Sequence, residues 1–395
     1  MKKILLFLTI AIALPLVVMA QSPPRPTPAP PRGLPTPAAP TLGANSYILV
    51  DFNSGHGLVE SNPDMPVEPA SNTKVMTSYV VFTELAGGNI QLSDAVTVRE
   101  TAWRTGGSRM FIEPSMQPTI EELLKGMVIQ SGNDASVALA EHLAGTEEAF
   151  AELMNHYASQ MGMTNSHFMN STGLPHEQHF TTARDVAILS AALIRDFPEY
   201  YRWYSEKEYS FNNIRQHNRN NLLWRDPAVD GLKTGHTEAA GYCLAASAKR
   251  DGMRLISVVL GSGSESSRVN ESQSLLNYGF RFFETIQLYK AGQELAQGKV
   301  WKGEADQIRL GIEDELFVTI PRGRYEDLDA QVEMRPELIA PLTQGEEVGQ
   351  ISIRLEDSEI TSRGLIALDS VAEAGFFGRT WDGMSMWFGG LFEDD

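Results

Sequence analysis

The sequence predicts an α/β (α+β) sandwich, followed by a small all-β domain and a C-terminal amphipathic helix. Three observations predict it. An early pair of strand-like segments and a late strand series flank a helix-rich stretch, the pattern of an antiparallel sheet covered by helices. After Phe283 the segments "LFVTI", "AQVEM" and "QISIRL" alternate, with "PRGR" and "TQGEE" between them and no long helical pattern. Near the C-terminus Phe377, Trp381, Met384, Phe388 and Leu391 recur at helical spacing.

The chain has 395 residues, which suits two folded units. Lys2 and Lys3 precede an apolar run from Ile4 to Val18 that exits through Val18-Met19-Ala20. A positive end, a short apolar stretch and a small-residue exit make residues 1–20 a secretory signal peptide. The run is short for a membrane span, and Pro15 interrupts it. Nine of the 21 prolines fall within "SPPRPTPAPPRGLPTPAAPT", so residues 21–44 read as an extended Pro-rich linker that cannot build a core. The formal charge is -18, or about -20 without the two leader lysines. So acidic a chain argues against nucleic acid as a partner, because phosphate binding needs a basic surface. Cys243 is the only cysteine, and in "GYCLAASAK" it reads as a buried, small, apolar strand residue. Export without disulfides fits a bacterial periplasm.

The elements follow in order. "SYILVD" and "GLVES", separated by "FNSGHG", predict a hairpin. "EPASNTKVMTSYVVFTEL" predicts a helix that starts near Ser71 and carries Lys74 one turn later. Thr119 with Glu122 forms a capping-box pattern ahead of "LLKGMVIQ". The loop "SGNDA" interrupts the helices, and another follows through "SVALAEHLAG". "VDGLKTGHT", "YCLAASAK" and "RLISVVLG" read as strands, the last two joined by Arg250-Asp251-Gly252. These elements bound a catalytic domain at residues 45–286, a small β-domain at residues 287–370 and an amphipathic segment at residues 371–395.

Three short motifs carry chemistry. Ser-x-x-Lys occurs once, at Ser71 and Lys74, and Lys-Thr-Gly once, at Lys233-Thr234-Gly235. Ser-x-Asn occurs at Ser131-Gly132-Asn133 and again at Ser210-Phe211-Asn212. Each alone is weak. Their joint order on a helix start, an interhelical loop and a strand is the pattern of penicillin-binding proteins and class A β-lactamases. A serine hydroxyl is a poor nucleophile and needs a base within hydrogen-bond reach. Residues three apart share a helix face, so Lys74 can reach Ser71. Burial and a neighbouring cation would depress its pKa and free its lone pair.

From about Ser46 to the C-terminus the chain resembles the low-molecular-mass penicillin-binding proteins. These are serine D-alanyl-D-alanine carboxypeptidases of the peptidase S11 type, similar to penicillin-binding proteins 5 and 6. The resemblance is densest in "IRQHNRNNLLW", "VDGLKTGHTEAAGY", "RDGMRLISVVLG" and "NYGFRFFET", and continues into "TIPRGR" and "GFFGRTWD". It implies a β-lactamase/transpeptidase-like fold, and its "SGNDA" selects Ser131 and Asn133 over the Ser210 alternative. It implies Ser71 as nucleophile, Lys74 as general base, Ser131 as proton relay, and Asn133 as a partner of Lys74 and the substrate amide. Backbone N–H groups of Ser71 and His236 would form the oxyanion hole. Thr234, with Lys233, would meet the terminal carboxylate, Gly235 would border the substrate, and Lys233 would be the cation near Lys74. Arg268 in "SSRVNES" would bind the terminal carboxylate, although its loop "GSGSESS" departs from the usual pattern. Arg219 would support the site from behind without direct chemistry.

The resemblance further implies peptidoglycan pentapeptide stems as substrates and β-lactam antibiotics as covalent inhibitors. It places the exported protein in the periplasm, attached to the outer face of the inner membrane through its C-terminal segment. That segment departs from expectation, with one Arg against four acidic side chains and five glycines in residues 375–395. No cofactor is indicated, and His176 with His179 lack the further ligands a zinc site needs. Two alternatives stay open, a β-lactamase of the same fold and a catalytically minor peptidoglycan-binding scaffold. The Glu-x-x-Leu-Asn segment expected of class A β-lactamases is missing, and every motif residue is intact.

Overall fold

The computed structural model describes residues 36–375. The expected signal peptide, the linker up to residue 35 and the amphipathic segment beyond residue 375 lie outside the described residues. The chain divides into two compact units. One is Leu34–Thr285 with Thr319–Arg322; the other is Ile286–Val318 with the described residues from Gly323 on.

The first unit opens with β1 (Ser46–Asp51) and β2 (Gly57–Ser61), the bounds read from the sequence. Helices α1 (Thr73–Ala86), α2 (Glu100–Arg104), α3 (Ile120–Ile129), α4 (Asn133–Ala144), α5 (Glu147–Gln160) and α6 (Ala183–Asp196) follow. Then come α7 (Pro198–Tyr201), a small hairpin of β3 (Glu208–Phe211) and β4 (Ile214–His217), and α8 (Leu222–Arg225). Strands β5 (Val229–Thr237), β6 (Gly241–Arg250) and β7 (Met253–Ser262) precede the long α9 (Glu265–Phe282). The sheet order is β2-β1-β7-β6-β5, antiparallel throughout.

Strand side chains alternate between faces, and here both faces are apolar. Ile48, Cys243, Ala245 and Val258 join one core with side chains of α1, α3, α4, α5 and α6. Tyr47, Leu49, Leu244, Ala246 and Val259 join the other with Leu275, Leu276 and Phe280 of α9. Burial on both faces explains why these strands read as nearly continuous apolar runs. Asp251 and Gly252 take φ of 50° and 86°, as a two-residue hairpin turn between β6 and β7 requires.

Helix capping separates two groups. The Thr119–Glu122 box is formed, and Thr146, Thr182 and Ser264 cap α5, α6 and α9. Helices α1 and α4, which begin at the site described below, carry no side-chain cap.

After α9 the chain is built of strands, with β8 (Phe283–Tyr289), β9 (Ala296–Trp301), β10 (Gln307–Gly311) and β11 (Leu316–Pro321) first, the first residues of β8 and the last of β11 counting with the first unit. After them come β12 (Leu328–Met334), β13 (Leu338–Ile339), β14 (Glu347–Leu355) and β15 (Ser358–Ala367). Six strands form one sheet in the order β12-β14-β15-β10-β9-β13, and β8 and β11 form a separate pair. The alternating segments seen in the sequence fall in β11, β12 and β14, whose inward Val318, Ile351 and Ile353 are buried. Among the described residues no helix is long and apolar enough to cross a membrane.

Candidate active site

Ser71 stands in a single 3-10 turn, Ala70–Asn72, directly ahead of α1. The helix proper therefore begins at Thr73, two residues later than the sequence suggests. Ala70 has φ of 47°, a left-handed conformation that a residue with a Cβ rarely adopts. Gly173 packs flush against it: a Cβ on Gly173 would lie 1.7 Å from the Ala70 carbonyl oxygen.

Lys74 is almost wholly buried, 1% exposed. Its Nζ lies 3.1 Å from Ser71 Oγ, 2.7 Å from Asn133 Oδ1 and 2.6 Å from the Thr172 carbonyl oxygen. The Asn133 amide is oriented, because its Nδ2 donates to the Gly106 carbonyl at 2.7 Å. Two of the three neighbours of Nζ are thus acceptors only. A neutral amine donates its two hydrogens to them and turns its lone pair to the Ser71 hydroxyl. Burial lowers the Lys74 pKa to about 7, opposed by Glu147 and assisted by Arg219. Arg219 is a further cation that presses on Lys74, and Lys74 and Lys233 repel one another. Lys233 is itself held well below the usual lysine range, by burial first and then by Lys74.

Ser131 sits between α3 and α4 with φ of 71°. Its Oγ accepts from Lys233 Nζ at 2.8 Å, and Lys233 also donates to the Thr234 carbonyl at 3.0 Å. Strand β5 carries Lys233-Thr234-Gly235-His236 past the serine turn. A Cβ on Gly235 would come within 3.2 Å of the Ser71 amide nitrogen, so a side chain there would push the strand and the serine turn apart by a few tenths of an ångström. The His236 ring lies 4.1 Å from that of Tyr242. Arg268 is buried on α9, inside a helix and not in the loop the sequence suggested. Its Nη1 donates to the Gly235 carbonyl at 3.1 Å.

These groups border one cleft of about 500 Å³. Ser71, Ser131, Asn133, Thr234, Gly235, His236 and Arg268 line it, while Lys74 and Lys233 are buried beyond its wall. Arg219, expected to support from behind, lines the cleft and is exposed. Ser210 and Asn212 are not part of the cleft. His179 is buried with Nε2 3.0 Å from Thr73 Oγ1. Among the described residues no His, Cys, Asp and Glu group is arranged to hold a metal.

Two contributors escape sequence reading. One is the segment Ser171–Gly173, whose part is played by a carbonyl and a bare Cα. The other is Asp134, 0% exposed, which accepts from the backbone N–H groups of Met110 at 2.9 Å, Phe111 at 2.9 Å and Ile112 at 3.3 Å. It anchors the loop that brings Gly107 and Ser108 to the cleft. Its only sequence signal is an acidic residue in a helix first turn. Asp134→Asn should lower stability by about 3 kcal/mol, because an amide can accept on one atom only; urea unfolding measures it.

Fold and site together define the class: an active-site-serine enzyme with the penicillin-binding protein fold. A family model described as D-alanyl-D-alanine carboxypeptidase matches residues 34–264. A second, described as the C-terminal domain of penicillin-binding protein 5, matches residues 283–373. The chain is 47% identical to D-alanyl-D-alanine carboxypeptidase DacC of Escherichia coli (strain K12), over 90% of this chain and 92% of that one. The crystal structure of penicillin-binding protein 5 from Haemophilus influenzae superposes with a TM-score of 0.83 at 43% identity, over 85% of this chain and 99% of that one. Penicillin-binding protein D2 of Listeria monocytogenes, solved in its ampicillin-bound form, matches with a TM-score of 0.56 at 29% identity, over 60% and 98% of the two chains. The chain belongs to the D-alanyl-D-alanine carboxypeptidase family of serine peptidases, and is of the penicillin-binding protein 5 and 6 type.

Proposed function

We propose that the protein removes the terminal D-alanine from peptidoglycan pentapeptide stems through an acyl-enzyme on Ser71. The observation that carries this reading is the setting of Lys74, whose two N–H groups are claimed by Asn133 Oδ1 and Thr172 O and whose third neighbour is the Ser71 hydroxyl. Lys74 takes the hydroxyl proton as Ser71 attacks the penultimate carbonyl. The backbone N–H groups of Ser71 and His236 hold the oxyanion, and the uncapped start of α1 adds a favourable dipole. Ser131, hydrogen-bonded to Lys233, passes a proton to the departing D-alanine nitrogen. Asn133 orients Lys74 and meets the substrate amide. Thr234, Lys233 and Arg268 receive the terminal carboxylate. Gly235 keeps β5 close enough for this, and Arg219 disfavours the charged form of Lys74.

The same Ser71 opens a β-lactam ring to a long-lived covalent adduct, in keeping with the ampicillin-bound relative. Residues 1–20 direct export to the periplasm and residues 21–44 act as a spacer. Residues 371–395, which follow a catalytic domain at residues 45–286 and a β-domain at residues 287–370 in the chain, lay their aromatic side chains on the outer face of the inner membrane.

Incubation with a D-Ala-D-Ala-ended peptide should release free D-alanine; a cross-linked dimer as main product would contradict hydrolysis. Only neutral Lys74 accepts the proton. Acylation should therefore rise about tenfold per pH unit up to about pH 7 and level off above it. A rate constant for acylation that stays flat from about pH 5 to 9 would remove Lys74 as the base.

A further inference from the structure

Arg268 and Glu265 form an unequal pair at the cleft. The Arg268 side chain is 5% exposed and that of Glu265 is 55% exposed, and Arg268 Nη2 lies 3.2 Å from Glu265 Oε1. Arg268 Nη1 is occupied by the Gly235 carbonyl, and its buried Nε has no partner. In the resting protein Glu265 thus supplies the carboxylate that a guanidinium this deep in protein requires. We propose that Glu265 stands in for the substrate's terminal carboxylate on Arg268 and must swing aside when a peptide binds. Glu265 thereby sets the affinity for carboxylate-ended ligands. The proposal rests on the reading of Arg268 as the carboxylate anchor.

Each partner has the properties such an exchange needs. Arg268 is fixed by packing and by Gly235, so it keeps its place when its anion is exchanged. Glu265 is solvated on its outer side and loses little packing by moving. A second donor is within reach, because Asn221 Nδ2 lies 3.4 Å from the same Oε1. Glu265 is also the first residue of α9, where the helix N-terminus favours a negative charge in either position. Binding then replaces one ion pair by another, so the net gain from the substrate carboxylate is smaller than on an unpaired arginine. Released D-alanine faces the same competition, which favours its departure.

The test is steady-state kinetics of the purified enzyme on a D-Ala-D-Ala-ended peptide, with free D-alanine as inhibitor. Glu265→Gln and Glu265→Ala should each lower KM by about threefold to tenfold and strengthen D-alanine inhibition by a similar factor. Structural damage moves KM the other way, so a gain of affinity is diagnostic. Arg268→Gln should raise KM at least tenfold, and adding Glu265→Gln to it should then change nothing. If Arg268→Gln raises KM but both Glu265 variants leave KM and inhibition unchanged, the stand-in role is wrong. A KM drop that persists in the double variant refutes it too. If Arg268→Gln itself leaves KM unchanged, the carboxylate-anchor reading fails first.

Discussion

A Lys74→Arg protein should fold and yet be acylated by a fluorescent penicillin about a thousandfold or more slowly than the parent. Arginine keeps a positive charge and reaches a similar distance, but its guanidinium does not give up a proton in a protein. Lys74→Ala should fall as far for a different reason, since no base then faces Ser71. It also strips Asn133 Oδ1 and Thr172 O of their donor. Ser71→Ala should take no label at all. The three variants together separate nucleophile, base and charge. If Lys74→Arg labelled at the parental rate, Lys74 would be a structural cation and another group would have to take the proton.

Gly173→Ala should lower acylation about a hundredfold although residue 173 contributes no side chain to the chemistry. The added Cβ would meet the Ala70 carbonyl oxygen at 1.7 Å, its carbon at 2.3 Å and Thr73 Oγ1 at 2.9 Å. Backbone cannot yield by that much locally. Either the Ala70–Asn72 turn shifts and carries Ser71 with it, or the Thr172–Gly173 segment retreats and takes the Lys74 acceptor away. A misplacement of about 1 Å at a reacting group suffices for a loss of this size. Gly162→Ala is the matched control. Its φ of 78° is also left-handed, but a Cβ there meets nothing within 4 Å. It should destabilise by about 1 kcal/mol and label normally. Equal labelling of the two variants would show that the close approach at Gly173 is dispensable.

Much of the catalytic centre is legible in sequence because its chemistry demands residue types at set spacings. Ser71, Lys74, Ser131, Asn133 and Lys233 announce themselves by three motifs in a known order. The sheet is legible because β1, β6 and β7 are runs of apolar residues closed by turn residues such as Asp251-Gly252. What stays hidden is supplied by backbone or by tertiary contact. The Thr172 carbonyl has no residue signature, and Gly173 looks like any turn glycine until Ala70 is seen beside it. Arg219 reads as a support residue because its lining of the cleft depends on how the segment between β4 and α8 folds back. Arg268 reads as a loop residue because serines and glycines precede it, yet Ser264 caps α9 and draws the next residues into the helix. That Arg219 joins Lys233 as a cation near Lys74 is hidden because it lies far from the motifs in sequence.

Cys243 lies opposite Gly235 in the ladder between β5 and β6, shut in and with its thiol pushed up to about 11 by burial. At neutral pH only about one thiol in ten thousand is ionised, and an alkylating reagent has no path to it while the helices stay packed on that face of the sheet. The molecule therefore contains its own clock for parting of the sheet from the helices packed on that face, since Cys243 is its single thiol and reagent uptake counts those openings. A drug adduct on Ser71 that bridges to β5 should slow that clock, in proportion to how firmly it ties the turn ahead of α1 to the sheet.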